Sequence, residues 1–317
     1  MSSTLAASSC SNRAKTTRQI LSAPATLTPT RPGESFVQVN EAGRPRMRIA
    51  VICEDDPVWG LGTWERTLPL LTERQLRPVG LWVCPAILSR HKGGEIRRWY
   101  LNTFGIYNFL KLGLFAVTAH ATRLLGVLTG TRAASFPALA RKHHIHFDRG
   151  ATPNDQRFVA WLRDEQIDIL VILLSNILKD EVLAAPRIGT INKHAAALPA
   201  NRGLFPYFWA RLKGTPLGIS FHEVIRGIDE GRLLVQERIT DMACQRSMVA
   251  FYCQVFQRYP EMLLDAIAAL ADRCLLPHPH DVEAGYFGLP TPQDVRSFRK
   301  QKGKIVMWRD IIYASNL

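Results

Sequence analysis

Asn192 and His194 stand two residues apart in the run Thr190-Ile191-Asn192-Lys193-His194. The apolar segment IDILVILLSNIL at 167–178 lies just upstream, and 218–222 and 233–236 read as strands downstream, so 191–194 reads as the end of a buried strand. Side chains at i and i+2 of a strand share a face. An amide donor therefore stands beside an imidazole. Asp229 follows 35 residues after His194, in Gly227-Ile228-Asp229-Glu230-Gly231 just ahead of a turn, and comes within reach if the two strands are neighbours. A carboxylate beside an imidazole favours its protonated form. An Asn donor and a charged imidazole make a small oxyanion site, and the imidazolium can return a proton to a leaving nitrogen. Those are the requirements for acyl transfer from an amide-like donor to an amine, with no serine or cysteine nucleophile.

The elements that must position these residues alternate along the chain. Arg48-Ile-Ala-Val-Ile-Cys-Glu54 is a short β-branched strand, followed by a turn bearing Gly60 and Gly62 and by the helix-like TWERTLPLLTERQ. RPVGLWVC at 77–84 reads as a second strand, DQRFVAWLRDEQ from Asp155 as a helix, and IDILVILL as the next strand. Such alternation across 47–240 implies an α/β fold, a Rossmann-like, mostly parallel sheet with helices on both faces, whose ligands bind at the carboxyl ends of strands. Leu174, Ser175, Asn176, Ile177 and Leu178 fall at one such end, Asn192 and His194 at another. The spacing Gly60-Leu61-Gly62 does not complete a dinucleotide fingerprint, and Asp55, Asp56 and Trp59 occupy the turn where a phosphate needs bare amides.

Beyond 240, MACQRSMVAFYCQVFQRYPEMLLDAIAALADRC reads as two helical pieces broken at Pro260, and Thr291, Pro292 and Asp294 as a helix start. This predicts three parts: an extension over 1–46 that does not fold alone, a catalytic domain over 47–240, and a small, mainly helical C-terminal appendage over 241–317. The first part is rich in Ser, Thr, Ala and Pro. It reads as dispensable, with Met47 directly before the first strand, although its Arg-bearing, acid-poor composition also fits a targeting peptide.

Of the formal charge of +13, +4 resides in residues 1–46, where six Lys or Arg meet two Glu. Such a balance suits anionic partners, but no basic run is interleaved with aromatics in the way base stacking needs, so nucleic acid is not expected. Arg90, His91, Lys92, Arg97 and Arg98 cluster ahead of the apolar stretch 109–128, which Lys111, His120 and Arg123 interrupt. That stretch reads as the helix of a soluble protein rather than a membrane span, with contact to a membrane or a lipid-like substrate as the minor alternative. His143, His144 and His146 lack the i, i+4 pairing of a metal pair, and no metal is expected. The six cysteines are scattered without a CxxC, which favours reduced core thiols and a cytoplasmic location.

With these residues in view, the chain resembles the formyltransferase family that uses 10-formyltetrahydrofolate. The likeness runs through DILVILLSNIL, IGTINKHAAALPANRGLFPYFWA, GISFHEV and DEGRLLVQ, closely over 155–240 and in outline over 47–90. It implies that Asn192 and His194 polarise the formyl group and that Asp229 orients and charges His194. It also implies that Leu174, Ser175, Asn176, Ile177 and Leu178 wrap the pterin, opposite a wall from Ile228 to Gly231. His222 matches a family histidine near the site, and Arg202 and Gly203 become candidates for substrate contact. Where the family has HxSLLP this chain reads His194-Ala195-Ala196-Ala197-Leu198-Pro199, losing one hydroxyl at Ala196. The phosphate loop of the glycinamide ribonucleotide enzymes is absent, and the appendage reads as too short and too helical for the barrel of the methionyl-tRNA enzymes. The resemblance thus implies an N-formyltransferase acting on a primary amine of a small metabolite, with an amino sugar in view. A hydrolase of the same donor and a non-catalytic adaptor on the same scaffold are the rivals. A homodimer is allowed.

Overall fold

Alternation of apolar residues on both strand faces organises the main sheet. In β1 (Arg48–Glu54) Ile49, Val51 and Cys53 join one buried cluster while Ala50 and Ile52 join another, so the strand is apolar throughout because both its faces are covered. The remaining sheet strands are β2 (Arg77–Cys84), β3 (His146–Arg149), β4 (Ile169–Leu173), β5 (Gly189–His194), β6 (Gly218–Glu223) and β7 (Leu233–Arg238). Their order across the sheet is β7-β6-β5-β4-β1-β2-β3. The five strands β3, β2, β1, β4 and β5 are parallel, and β6 and β7 continue the sheet as an antiparallel hairpin beside β5. This computed structural model describes residues 46–316, and those from Met47 onward form one compact unit. Apart from Arg46, the expected extension lies outside the described residues.

One face of the sheet is covered by helices α1 (Gly60–Glu73) and, from the C-terminal part, Met248–Ala271, through Trp64, Leu68, Tyr259, Leu263 and Ile267. The other is covered by Gln156–Asp164 through Phe158, Val159 and Leu162. Between β2 and β3 runs α2 (Gly94–Leu128), bent at Gly105, whose φ of 78° leaves the helical region. Next in chain order are α3 (Phe136–Lys142), α4 (the Gln156–Asp164 helix), α5 (Pro206–Lys213), α6 (the Met248–Ala271 helix) and α7 (Pro292–Lys300). Thr291 caps α7 and Pro292 stands in its first turn, as the sequence predicts, and Asp294 closes a reciprocal capping box with Thr291.

Two expectations are corrected. The segment around Pro260 is not two pieces: α6 runs unbroken through it. Proline removes the donor that would have met the carbonyl of Phe256, and the Arg66 guanidinium meets that carbonyl instead, at 3.3 Å. Burial of Tyr259, Pro260 and Leu263 in one apolar stripe holds both halves on the sheet. Reduced thiols throughout is the second: Cys53, Cys84 and Cys253 are free and buried, but Cys274 is disulfide-bonded.

Strand order reverses at β1, between β2 on one side and β4 on the other. A crevice opens at the carboxyl ends of strands where order reverses. Glu54 ends β1 there, and its Oε1 accepts the N–H of Ser175 at 2.9 Å, tying the loop after β4 to the end of β1.

Candidate active site

β5 delivers Asn192 and His194 to the crevice, and its antiparallel neighbour β6 places His222 directly across from Asn192. The Asn192 Nδ2 lies 3.4 Å from His222 Nε2. On its far side His222 donates from Nδ1 to the Glu223 carbonyl at 2.8 Å. That bond fixes the ring plane and sets Nε2 between the Asn192 amide and the loop that carries Asp229, so the ring holds the Asn192 side chain in place.

Asp229 sits in the loop between β6 and β7 with φ of 51°, a left-handed conformation that Asp tolerates better than most residues. The following Gly231 is required by contact, since a Cβ there would meet the Glu223 carbonyl oxygen at 1.7 Å. This tight turn drives the carboxylate inward. Its Oδ2 accepts the N–H of Gly203 at 2.9 Å and lies 3.5 Å from His194 Nδ1, while Oδ1 lies 3.4 Å from His222 Nε2. Burial alone would raise the Asp229 pKa. The two imidazoles and the Gly203 amide outweigh it and hold the carboxyl well below the usual carboxylate range.

His194 donates from Nε2 to the Asn201 carbonyl at 2.8 Å, leaving Nδ1 toward Asp229. The sequence predicts an imidazole kept charged by its carboxylate. Instead, burial lowers the His194 pKa, and Asp229 and the Asn201 carbonyl only partly oppose it. At rest the ring is neutral beside an ionised carboxylate, with an unprotonated Nδ1. An imidazolium formed by protonation there would point its Nδ1–H at Asp229 and its Nε2–H at the Asn201 carbonyl. The site is thus arranged to take up charge during a reaction rather than to store it beforehand.

These groups face a cavity of ≈ 860 Å³, a size that suits a drug-sized ligand. Leu174, Ser175, Asn176, Ile177 and Leu178 line one wall, and Ile228 and Asp229 another. Asn176 Oδ1 is buried without a partner, an acceptor open to an N–H of a bound ring. Apolar Leu174, Leu178, Ile225 and Ile228 offer flat contact on either side. This set fits a pterin. Of the candidates for substrate contact, His222 and Gly203 line the cavity. Arg202 does not, and pairs with Glu230; Gly231 shapes the turn from outside the lining.

Residue-by-residue reading missed the opposite lobe. Lys193 reaches it from between Asn192 and His194, with Nζ 4.7 Å over the ring of Phe256 in α6. Burial lowers its pKa to about 8, partly opposed by Asp229. Glu54 and Asp56, both pushed up by burial, line the lobe with Trp59, Tyr100 and Tyr252. Only the apolar periodicity of 248–271 hinted that this helix covers the site.

The formyl transferase family model matches residues 118–267. The methionyl-tRNA formyltransferase of Synechococcus sp. (strain JA-3-3Ab) is 32% identical over 160 residues, 49% of this chain and 49% of that protein. That of Bacteroides thetaiotaomicron is 36% identical over 86 residues, 27% of each. The chain thus spans about half or less of the curated relatives it matches. Among solved structures, a sugar N-formyltransferase from Shewanella sp FDAARGOS_354 aligns with a TM-score of 0.47 at 15% identity, covering 84% of this chain and 87% of that one.

Proposed function

We propose that this chain, whose residues 118–267 match the formyl transferase family model, moves a formyl group from 10-formyltetrahydrofolate to a primary amine of a small metabolite, with an amino sugar as the acceptor class. The observation that carries this reading is the ionised Asp229 set between His194 and His222, with Asn192 facing the same cavity. The carrier supplies a formyl carbon already bonded to nitrogen and open to attack. Asn192 donates a hydrogen bond to the formyl oxygen as negative charge grows on it. His194 Nδ1 takes the proton that the attacking amine must lose, and Asp229 stabilises the imidazolium so formed. The new C–N bond forms as the bond to the carrier nitrogen breaks, and His194 returns the proton to that nitrogen. His222 keeps the Asn192 amide turned correctly. Asn176 and the loop after β4 hold the pterin. An acceptor with a polar ring suits the other lobe, where Glu54 and Asp56 stand among the faces of Trp59, Tyr100 and Tyr252.

The direct test is a panel of amines, amino sugars included, incubated with the purified protein and the formyl donor while tetrahydrofolate is followed. Amine-dependent production is expected. Formate released equally without amine would make the protein a hydrolase, and absence of any affinity for the folate would make it a scaffold.

A further inference from the structure

The second segment of α2, from Ile106 to Leu128, is built inside out. Its charged residues point into the protein: Lys111 Nζ donates to the Val306 carbonyl at 3.2 Å, and Arg123 donates to the Ala133 carbonyl at 3.2 Å and pairs with Glu65 at 3.3 Å. Its solvent face holds Ile106, Tyr107, Leu110, Leu114, Val117, Leu124, Leu125 and Leu128, from 42% to 76% exposed. No charged residue lies on that face. At 100° per residue these positions spread over about 100° of arc and about 33 Å of length. That is wider than the a/d seam of a single partner helix, and the flanking charges that pair helices in water are missing.

The patch continues across the chain's end. Trp308, 58% exposed, donates from Nε1 to the Tyr107 hydroxyl at 3.1 Å, and Ile312 beside it is 72% exposed. An aromatic pair with one polar end, at the margin of an apolar strip, is the arrangement found at a membrane–water boundary. The charge is complementary too: Arg90, Lys92, Arg97 and Arg98 are exposed ahead of the strip and Arg309 next to Trp308, opposed locally by Glu95. Length and composition would also allow α2 to cross a membrane. Its inner face, however, buries Lys111, Phe115, Ala119 and Arg123 in the protein. The helix is placed to lie on a bilayer rather than through it.

We propose that the outer face of α2, with Trp308 and Ile312, docks on an anionic lipid surface, the apolar strip entering the headgroup boundary while the cations meet phosphates. The test is flotation of the full chain with phosphatidylcholine vesicles, with and without phosphatidylglycerol. Binding to the phosphatidylglycerol vesicles is expected, weakening as salt rises. The double substitution Leu114→Glu, Leu124→Glu is expected to lower it by about tenfold or more, and Arg97→Glu, Arg98→Glu to lower it several-fold. Both pairs are on the surface, so unchanged thermal unfolding separates lost docking from lost fold. The proposal is overturned if the chain stays with neither vesicle, if the variants float like the parent, or if neutral vesicles bind equally well. It is overturned as well if the leucine substitutions dissolve a homodimer that binds no vesicles, or if binding appears only after residues 2–45 are deleted. None of these readouts depends on formyl transfer.

Discussion

At the ends of β5 and β6 the chain buries His194, His222 and Asp229, whereas along α2 it exposes a row of leucines; both regions reverse the ordinary sorting of polar and apolar groups. They differ in how the reversal is compensated. The buried polar groups are packed around one another: Asp229 accepts a backbone N–H and stands between two imidazoles, and each imidazole donates to a backbone carbonyl. Such a network is stable only when it is complete. The α2 face has no counterpart among the described residues of the chain. The polar cluster closed on itself is the basis of the proposed site, and the apolar face left open is the basis of the proposed docking surface.

The sharpest way to break this contrast is to open the closed cluster. Asn192→Ala, His194→Ala and Asp229→Asn are each expected to lower kcat/KM by about 10²- to 10³-fold while the chain stays folded by circular dichroism. Near-normal turnover in any one removes that residue from the mechanism. Next in size is Lys193→Met. Lys193 titrates at about 8 against an ordinary 10.5, so folding disfavours its ammonium form. That penalty is complete below pH 8 and relieved as pH rises toward 10.5. The substitution should therefore raise stability by about 1–3 kcal/mol at pH 7 and by much less near pH 10.5, read from denaturant midpoints. If the gain were the same at both pH values, the buried ammonium would not be its source.

The pH profile sharpens the role of His194. Since its pKa is lowered from 6.5, the proposed role of the neutral ring as acceptor of the amine's proton places the acid limb of kcat/KM below pH 6.5. Asp229 opposes that lowering, so residual activity in Asp229→Asn should show the limb at still lower pH. A limb above 6.5 would mean that the carboxylate outweighs burial. The smallest effect is predicted at Arg66→Met, which strips the Phe256 carbonyl of its substitute donor and should cost about 1 kcal/mol. An unchanged melting temperature would show that water serves that carbonyl equally well.

Much of the parallel sheet is legible in the sequence because its strands are short apolar runs between turn and helix signals, and because alternation decides that Asn192 and His194 share a face. The continuity of α6 is not legible. Pro260 reads locally as a break, and what makes it tolerable comes from far along the chain: Arg66, 190 residues away, at the Phe256 carbonyl, and the burial of Tyr259, Pro260 and Leu263. The charge of His194 is hidden in a similar way. Proximity to Asp229 argues for protonation, while the burial that outweighs it belongs to no nearby stretch of chain.

What the sequence by itself determined is the set of strands and the chemical types at their ends: an amide, an imidazole and a carboxylate, whose spacing needs only the two-residue period of a strand and neighbouring hairpin strands. Tertiary structure alone decided that Lys193, Glu54 and Phe256 share the cavity, that Arg202 turns to Glu230, and that the leucines of α2 face outward. Local periodicity marks which residues share a face; which face is covered depends on contacts between segments far apart in the chain, and on what lies beyond it.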